Sequence, residues 1–430
     1  FRKYRNFRGE IMKKAKLIIV GFGSRGQLFG GYALDHENTE LVAIADVNPE
    51  ARAKAIKEFG IKPENCFKSA DEIFSHGKIA DAAFICTQDK QHKEHAITAM
   101  RLGYDICLEK PIATTMEDCE EILRVQEETG KKAMICHVLR YSPFYMKIRE
   151  VIKSGEIGDV VTISQTENVA YWHDAHSYVR GAWRNKEESS PMILAKCCHD
   201  LDIIFWLLGK KCKKVSSFGD LYYFKKENAP EGAADRCFRC PESVKKDCPY
   251  DAFKIYNDIY KAYNPILGNA MAFRGTRKEY INELLSDEKY PYGRCVFACD
   301  NDVVDHQVVN MLFEENVTAQ LTMTAFSKEC HRCIKVHGTL GEMVADMEEN
   351  SVLVKPFRSE DYVIDITKYA TDLSVHGGGD KLLFEDFVSY ITGGAPTETR
   401  TTLADSLISH RMSFAAEESR LAGGEPIDIR

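Results

Sequence analysis

The chain has 430 residues, a formal net charge of −8, 44% hydrophobic residues and 28% charged residues. This length predicts two domains, and the composition excludes wholesale disorder and collagen-like structure. The acidic balance argues against nucleic acid as a partner, and no apolar run reaches the roughly 18 residues that a membrane span needs.

The start of the chain and its cysteines bear on the expected compartment. The basic stretch from Phe1 to Lys14 lacks the apolar core of a signal peptide, and Met12 is the expected natural start, with residues 1–11 preceding it. The 15 cysteines are an odd number, and several lie in apolar runs. A secreted disulfide framework is usually short and even-numbered, so we expect a cytoplasmic protein with mostly reduced, buried thiols.

Residues 12–136 alternate between two periodicities. Short apolar runs predict strands buried on both faces at Leu17–Val20, Leu41–Ala45, Ala82–Cys86, Asp105–Leu108 and Ala133–Cys136. Helical patterns lie between them at Pro49–Phe59, Lys90–Leu102 and Met116–Glu128, the last ending at Gly130 as a C-cap. The alternation predicts an α/β domain of the Rossmann type, with a doubly wound parallel sheet.

A glycine-rich turn follows the first predicted strand and precedes a helix. Its G-x-G-x-x-G pattern predicts contacts with a dinucleotide from Gly21, Phe22, Gly23, Ser24, Arg25 and Gly26. The glycines permit the tight turn, the approach of the pyrophosphate and close packing of helix on strand. Asp46 ends the second strand, where a carboxylate can bind the ribose hydroxyls. Since no arginine stands beside it in sequence to hold a 2′-phosphate, NAD is favoured over NADP.

Residues 137–430 change character and predict an α+β domain with a large, open, mostly antiparallel sheet. The predicted strands are Val160–Ser164, Val308–Phe313, Val317–Thr324, Ile334–His337 and Met343–Asp346. Helices are expected at Phe144–Lys153, Lys196–Leu208, Asp380–Thr392 and Leu403–Leu421. Residues 225–300 form an insertion rich in Cys, Tyr, Pro and charge.

Residues 87–111 carry the motif from which a family is recognisable. The segment reads Thr87-x₄-His92, then a helix, a strand and Glu109-Lys110-Pro111. This pattern closely resembles the glucose–fructose oxidoreductase / inositol dehydrogenase / MocA family of NAD(P)-dependent sugar and cyclitol oxidoreductases. The resemblance covers nearly the whole chain, including Arg140-Tyr141-Ser142-Pro143. It implies further cofactor contacts from Thr87, Gln88, His92, Glu109 and Lys110.

The resemblance also implies a catalytic pair. Lys110 would lie between nicotinamide and substrate and meet a histidine of the second domain, His199. Lys110 ends a parallel strand on the ligand-binding side of the sheet, and a lysine beside a cationic ring is a plausible base. Related inositol dehydrogenases have an aspartate four residues before the histidine, whereas this chain has Ala195, followed by Lys196. Lys196 replaces that carboxylate as a substrate ligand or points elsewhere, and His199 could instead be a buried capping residue.

Substrate contacts are expected from a loop dense in His, Arg and aromatic residues. Such residues suit a polyhydroxylated ligand, because rings stack on sugar faces while Arg and His donate to hydroxyls. For each residue, a structural role is as plausible as ligand contact. The predicted substrate-binding residues are Arg140, Trp172, His176, Arg180, Trp183, Arg184, Lys196, His306 and His376.

The insertion carries a candidate metal site. Cys237-x₂-Cys240-x₇-Cys248 places three thiols close in sequence, and Cys295 could complete a tetrahedral structural zinc site. Cys299 leaves the fourth ligand ambiguous, and free thiols or an iron–sulfur cluster are the alternatives. Cys330-x₂-Cys333 is not expected to chelate, because residues three apart in a strand face opposite ways.

Three functions are compatible with these features. The main expectation is hydride transfer between a sugar, sugar derivative or cyclitol hydroxyl and NAD. A redox-neutral glycosidase acting through a transient keto-sugar is the alternative, with His173, His176 or Tyr178 as the extra base. A non-catalytic sugar or nucleotide sensor is the third. The family also implies a homodimer or homotetramer that pairs through the open face of the second sheet.

Overall fold

The computed structural model describes residues 14–260, 265–267, 275–370 and 373–429, without the side chains of residues 374 and 375. The expected start at Met12 lies outside the described residues. Within the described ranges, no helix is both long enough and apolar enough to cross a membrane.

The N-terminal half folds into a parallel six-stranded sheet flanked by helices, as the alternation of patterns predicted. The strands are β1 (Ala15–Val20), β2 (Thr39–Ala45), β3 (Cys66–Phe67), β4 (Ala82–Ile85), β5 (Asp105–Leu108) and β6 (Ala133–Ile135). The helices are α1 (Ser24–Asp35), α2 (Pro49–Phe59), α3 (Ala70–Ser75), α4 (His92–Arg101) and α5 (Met116–Thr129). The strand order β3-β2-β1-β4-β5-β6 reverses between β1 and β4, which is where such sheets bind dinucleotides.

Local signals in the sequence set the ends of these helices. The Asn48 side chain accepts a hydrogen bond from the Glu50 N–H ahead of α2, and Gly60 ends that helix with φ +68°. Thr115 caps α5 in the same way, and Gly130 ends it with φ +61°, as predicted.

The second half forms a mixed, mostly antiparallel sheet with order β14-β13-β12-β11-β7-β10-β9-β8-β15. Its strands are β7 (Val160–Asn168), β8 (Cys212–Asp220), β9 (His306–Phe313), β10 (Thr318–Thr324), β11 (His331–Gly338), β12 (Gly341–Asp346), β13 (Ser351–Pro356), β14 (Tyr362–Asp365) and β15 (Ile427–Asp428). Its longer helices are α6 (Pro143–Ser154), α9 (Cys198–Leu208), α14 (Gly379–Ile391) and α15 (Leu403–Leu421). The pairing of β7 with β10 is parallel, and β8, β13, β14 and β15 were not predicted.

Shorter helices connect these elements. They are α7 (Tyr171–Asp174), α8 (Met192–Ala195), α10 (Glu242–Lys245), α11 (Ala252–Lys254), α12 (Arg277–Ser286), α13 (Ser374–Gly377) and two π-helical turns at Ala175–Arg180 and Ile255–Ile259. The insertion has its own apolar cluster, which includes Tyr250, Tyr256 and Phe297 and packs on Val179.

The C-terminal helices complete the core of the first sheet. Phe384 of α14 stacks on Phe84 of β4, with ring centroids 5.6 Å apart. The Thr401 hydroxyl donates to the Ile135 carbonyl at 2.5 Å, and Leu403 and Leu407 of α15 join the same core cluster. Residues from the end of the chain therefore support the nucleotide-binding half, although the predicted domain boundary falls at residues 136 and 137.

Candidate active site

The glycine turn between β1 and α1 is tightly packed at Gly21 and Gly26 and open at Gly23. A Cβ at Gly21, whose φ is +89°, would lie 2.6 Å from the Cys86 carbonyl oxygen. A Cβ at Gly26 would collide with the Gly21 carbonyl oxygen. At Gly23, an added Cβ would meet nothing within 4 Å in the described part of the chain. The turn thus leaves backbone accessible at the N-terminus of α1, where an anion is favoured.

Asp46 lies at the carboxyl end of β2, beside this turn. Its Oδ2 accepts a hydrogen bond from the Phe22 N–H at 2.6 Å, and its Oδ1 accepts one from the Asn48 N–H at 2.7 Å. Arg52 of α2, which the sequence reasoning missed, donates to the Asp46 carbonyl at 2.6 Å. A fixed carboxylate, an open glycine and a helix N-terminus together fit a dinucleotide with free ribose hydroxyls.

Arg25 connects the glycine turn to two other elements. Its guanidinium pairs with Glu109, which precedes Lys110, and with Asp380 of α14. Asp380 also lies 2.9 Å from His376 Nδ1. Burial would raise the pKa of Asp380, but the hydrogen bond with His376 and the Arg25 charge lower it instead. Arg25, Glu109 and His376 thus belong to one partly buried network, joined through Asp380, that fixes the Glu109-Lys110-Pro111 turn.

The predicted contacts in the next turn have partners inside the protein. His92 is buried, and its ring nitrogens lie 2.6 Å from the Pro111 carbonyl oxygen and 3.0 Å from the Thr87 carbonyl oxygen. The Thr87 hydroxyl lies 3.0 Å from His95 Nδ1, and the Gln88 N–H donates to Gln91 Oε1 at 3.4 Å. His92 therefore positions the turn beside the predicted cofactor site.

Lys110 reaches across to the second half of the chain. Its Nζ donates a hydrogen bond to the main-chain carbonyl of Ala195 at 2.7 Å. This is the position at which inositol dehydrogenase-like members were expected to carry an aspartate. A neutral carbonyl therefore orients the amine here, without adding a second charge beside it.

His199 of α9 lies close enough to Lys110 to be affected by its charge, and one of its ring nitrogens lacks a polar partner among the described residues. It is 5% exposed, and its Nδ1 has no hydrogen-bond partner among the described residues. Burial, and then the Lys110 charge, lower the pKa of His199 well below its ordinary value. Its ring centroid is 5.5 Å from that of His137 and 5.9 Å from that of His376. This environment therefore disfavours the protonated form of the imidazole.

Lys196 turns towards a buried charge network under the second sheet. Its Nζ is 3.3 Å from Glu167 Oε1, and Glu167 also pairs with Arg332 at 2.7 Å. Arg332 in turn pairs with Asp200, the residue after His199, at 2.9 Å. Lys196 is therefore paired with a carboxylate. The pKa of His173 is lowered by burial and then by the positive charge of Lys196.

Several predicted substrate ligands have structural partners instead. Arg140 is 3% exposed and makes two hydrogen bonds to Asp202, at 2.6 and 2.7 Å. Arg180 is fully buried and donates to the main-chain carbonyls of Arg294 and Tyr250, each at 2.7 Å. These two guanidiniums hold elements together, so we reassign them from substrate binding to structure.

The remaining loop residues divide between two environments. His176 Nδ1 lies 2.7 Å from the Tyr256 hydroxyl, and Arg184 makes two hydrogen bonds to Asp300, at 2.8 and 3.0 Å. Trp172 donates to the Lys328 carbonyl at 3.1 Å. Trp183 faces the first domain, where its Nε1 lies 3.3 Å from Asp89 Oδ1. Of the predicted aromatic contacts, Trp183 is the one that joins the two halves.

His306 lies apart from this network. Its Nδ1 is 2.9 Å from Asp305 Oδ1, and its side chain is 44% exposed. Asp305 also accepts from the main-chain N–H groups of Tyr222 and Tyr223, so this pair orders the start of the insertion.

The four predicted zinc ligands, Cys237, Cys240, Cys248 and Cys295, line a single cavity. No three of their sulfur atoms lie within 4.8 Å of one another. Among the residues that the structure describes, the set whose metal-ligating atoms lie within 4.8 Å of one another is His331, Cys333 and Asp346. Cys330 donates to the Val169 carbonyl, away from that set, consistent with the expected opposite orientation.

Two buried residues of the site escaped the sequence reasoning. His137 is completely buried, and neither ring nitrogen has a hydrogen-bond partner among the described residues. His410 of α15 accepts from the Ile112 N–H at 2.9 Å, next to Pro111. His137 follows an apolar run and His410 stands among polar residues of a helix, and neither pattern carries a signal of its own.

Comparison with known proteins places these features in a family. Two family profiles match: an oxidoreductase family NAD-binding Rossmann fold at residues 15–137 and an oxidoreductase family C-terminal alpha/beta domain at residues 149–429. A Bacillus subtilis protein named as an oxidoreductase, YteT, is 24% identical over 391 residues, covering 86% of this chain and 87% of that protein.

Two further similarities are more limited, the first in the length that it covers and the second in sequence identity. A 2,7-anhydro-N-acetylneuraminate hydratase of Mediterraneibacter gnavus is 28% identical over 208 residues, covering 48% of this chain and 53% of that protein. The crystal structure of the WlbA dehydrogenase from Bordetella pertussis, in complex with NADH and UDP-GlcNAcA, has a TM-score of 0.70 at 19% identity. It covers 97% of this chain and 98% of that one, and at this identity the likeness shows the fold.

Proposed function

Because this chain belongs to the glucose–fructose oxidoreductase / inositol dehydrogenase / MocA family of oxidoreductases, we propose that it oxidises or reduces a CH–OH group of a sugar, sugar derivative or cyclitol with NAD. The observation that carries the proposal is the position of Lys110. Its amine stands at the carboxyl end of β5 and donates to the carbonyl of Ala195, which lies three residues before the start of α9 and four before His199.

The residues of the chain divide the work as follows. Bound NAD supplies the acceptor for the substrate hydride. The Lys110 amine donates one hydrogen bond to the Ala195 carbonyl, and in its unprotonated form it accepts the proton of the substrate hydroxyl. His199, whose Nδ1 has no hydrogen-bond partner among the described residues, holds the substrate hydroxyl. Arg25 and Glu109 keep the turn in place during this transfer.

NAD is proposed over NADP because Asp46 is held in place by two main-chain N–H groups. A fixed carboxylate beside the ribose would repel a 2′-phosphate. Arg52 lies beside Asp46, and its Nη1 donates to the main-chain carbonyls of Asp46 and Val47.

A redox-neutral reaction through a transient keto-sugar is the second candidate, favoured by the similarity to a protein named as a hydratase. Of the three predicted bases, His176 is occupied by Tyr256, and burial raises the pKa of Tyr178 well above its ordinary value. The pKa of His173 is lowered by burial and by the nearby Lys196, His176 and Lys110 charges, which favours the unprotonated form that a general base requires but weakens it as a base.

The test is a screen of sugars, nucleotide sugars, cyclitols and glycosides with NAD⁺ and NADP⁺, followed at the absorbance of the reduced cofactor. Lys110→Met should lower turnover by about 10²- to 10⁴-fold while leaving NAD binding intact. Product formation without net NADH would favour the redox-neutral reaction. Turnover retained in Lys110→Met would contradict the proposed catalytic role, and NADH formation with any substrate would exclude a non-catalytic sensor.

The proposed homo-oligomer uses the second face of the nine-stranded sheet. That face carries polar, partly exposed side chains, and Thr318 and Gln320 bond to Thr162 and Ser164 across strands. Light scattering of the purified protein would test this proposal, and a monomeric mass would contradict it.

A further inference from the structure

The insertion at residues 225–300 is poor in the features that normally stabilise a folded segment. Its helices α10 and α11 have four and three residues, α12 has ten, and the described part of the insertion contains no β-strand. Its apolar cluster, which includes Tyr250, Tyr256 and Phe297, packs on Val179. Segments of this size usually depend on a disulfide or a metal ion for stability, and all its cysteines are free.

Four thiols of the insertion converge from three stretches of chain. An isolated antiparallel bridge joins Arg236 to Arg294, which places Cys237 and Cys295 side by side. The Cys295 N–H donates to the Asp235 carbonyl at 2.8 Å, closing the same contact. Cys240 follows one turn after Cys237, and Cys248 arrives after α10. All four line one apolar cavity.

A buried positive charge lies against these thiols without an acidic partner. The Arg180 side chain is completely buried, and no Asp or Glu among the described residues pairs with it. Its Nη2 approaches Cys237 Sγ at 3.8 Å, and its Nη1 is buried without a hydrogen-bond partner in the described residues. The Ala252 N–H also points at Cys237 Sγ, at 3.5 Å. A buried cation needs a compensating anion, and cysteine thiolates can supply it.

We propose that Cys237, Cys240, Cys248 and Cys295 bind one structural Zn²⁺ ion. Four cysteine ligands close the tetrahedron and leave no position for substrate, so the site holds the insertion together and takes no part in catalysis. Arg180 offsets part of the negative charge of four thiolates and ties the site to the π-helical turn that precedes Trp183.

Zinc binding forms four Zn–S bonds and releases the four thiol protons, with no change of oxidation state. Zn–S bonds of about 2.3 Å require sulfurs about 3.8 Å apart, so the ion would draw the thiols together.

The experiment measures metal in the purified full-length protein by mass spectrometry. We expect about one zinc per chain, and at least a tenfold lower content in Cys240→Ser and Cys248→Ser. Cys240→His, which restores a zinc ligand, should recover the metal. Cys299→Ser, in the same insertion, and Cys333→Ser, in the His331 set, are the matched controls and should keep full zinc. NAD binding should be unchanged in all five variants, which separates this test from that of the proposed function.

A second measurement holds even if the serine variants fail to fold. A mercurial reagent added to wild-type protein should release one zinc, detected with a chromogenic chelator, as four thiols are titrated. Replacement by Co²⁺ should give the visible absorption of a tetrahedral thiolate site. Wild-type protein that takes up no zinc on dialysis, zinc lost in Cys333→Ser, or iron with sulfide in place of zinc would each overturn the proposal.

Discussion

The surroundings of Lys110 and the segment at residues 171–184 contain the same kinds of side chain but differ in how these are paired. Around Lys110, the lysine has one carbonyl partner, and His199 has an unpaired Nδ1 among the described residues. In the segment, Arg180 binds two carbonyls, Arg184 binds Asp300, and His176 meets a tyrosine hydroxyl.

This difference separates residues available to a ligand from residues committed to the fold. Buried polar groups are normally satisfied, so an unsatisfied imidazole beside a crevice signals a bound molecule or a proton to be moved. A guanidinium with its donors already in use has little left to offer a sugar. The comparison predicts that changing paired side chains costs stability, whereas changing unpaired ones costs turnover.

The largest effect expected from a paired side chain is at Arg140. Arg140→Met leaves Asp202 as an uncompensated buried charge and should lower the free energy of unfolding by about 3–5 kcal/mol. The double variant Arg140→Met/Asp202→Leu, which removes both charges, should recover most of that loss. Urea denaturation measures both. Unchanged stability with a raised KM would instead return Arg140 to the substrate site.

Replacement of His199 should lower turnover and leave stability nearly unchanged, the opposite of the effect expected at Arg140. His199→Asn should lower kcat by about 100-fold, because the substrate hydroxyl loses the imidazole that holds it in position beside Lys110. Thermal unfolding should change little, since His199 Nδ1 has no described partner to lose. His337→Asn, on the second sheet and paired with Glu342, is the matched control, and a similar kcat loss there would assign the effect to a general loss of stability.

The sequence located the main-chain framework of the site better than its side-chain pairing. The glycine turn and the Glu109-Lys110-Pro111 turn carry their geometry in local residue types, so their positions at strand ends could be predicted. The partners of Arg140 and Arg180 lie 62 and 114 residues away. Spacing along the chain says nothing about such contacts. His137 was missed for the same reason, because an imidazole in an apolar run looks like core.

Two histidines with lowered pKa values should reduce the free energy of unfolding in acid. Burial lowers the pKa of His176 and of His410 to about 3, with Arg180 and His137 respectively adding to the shift. Unfolded histidine titrates near pH 6.5, so this stability is complete above that pH and is lost as pH falls towards 3. At pH 5.5 each residue should remove about 1.4 kcal/mol relative to pH 8.

Urea denaturation at both pH values checks this expectation. His176→Phe should reduce the drop between pH 8 and pH 5.5 by about 1.4 kcal/mol. His337→Asn, on the half-exposed face of β11, should leave the drop unchanged. An identical drop in wild type and His176→Phe would mean that His176 is not buried as a neutral group.

The smallest effect is expected at Arg184, which tests whether pairing or exposure decides the outcome. Its partner Asp300 is 58% exposed and also pairs with Arg294 at 2.6 Å, so solvent and a second guanidinium both stand in when Arg184 is removed. Arg184→Ala should therefore lower the free energy of unfolding by less than about 1 kcal/mol and leave KM unchanged.

The free energy of unfolding and KM should change differently if Arg184 binds substrate. If Arg184 leaves Asp300 to hold substrate hydroxyls, KM should rise about tenfold or more at unchanged stability, because a lost hydrogen bond to a charged group is worth about 1.5–3 kcal/mol. Measurement of KM and urea unfolding on the same preparation distinguishes the two, and a rise in KM would show that a surface ion pair does not commit an arginine to the fold.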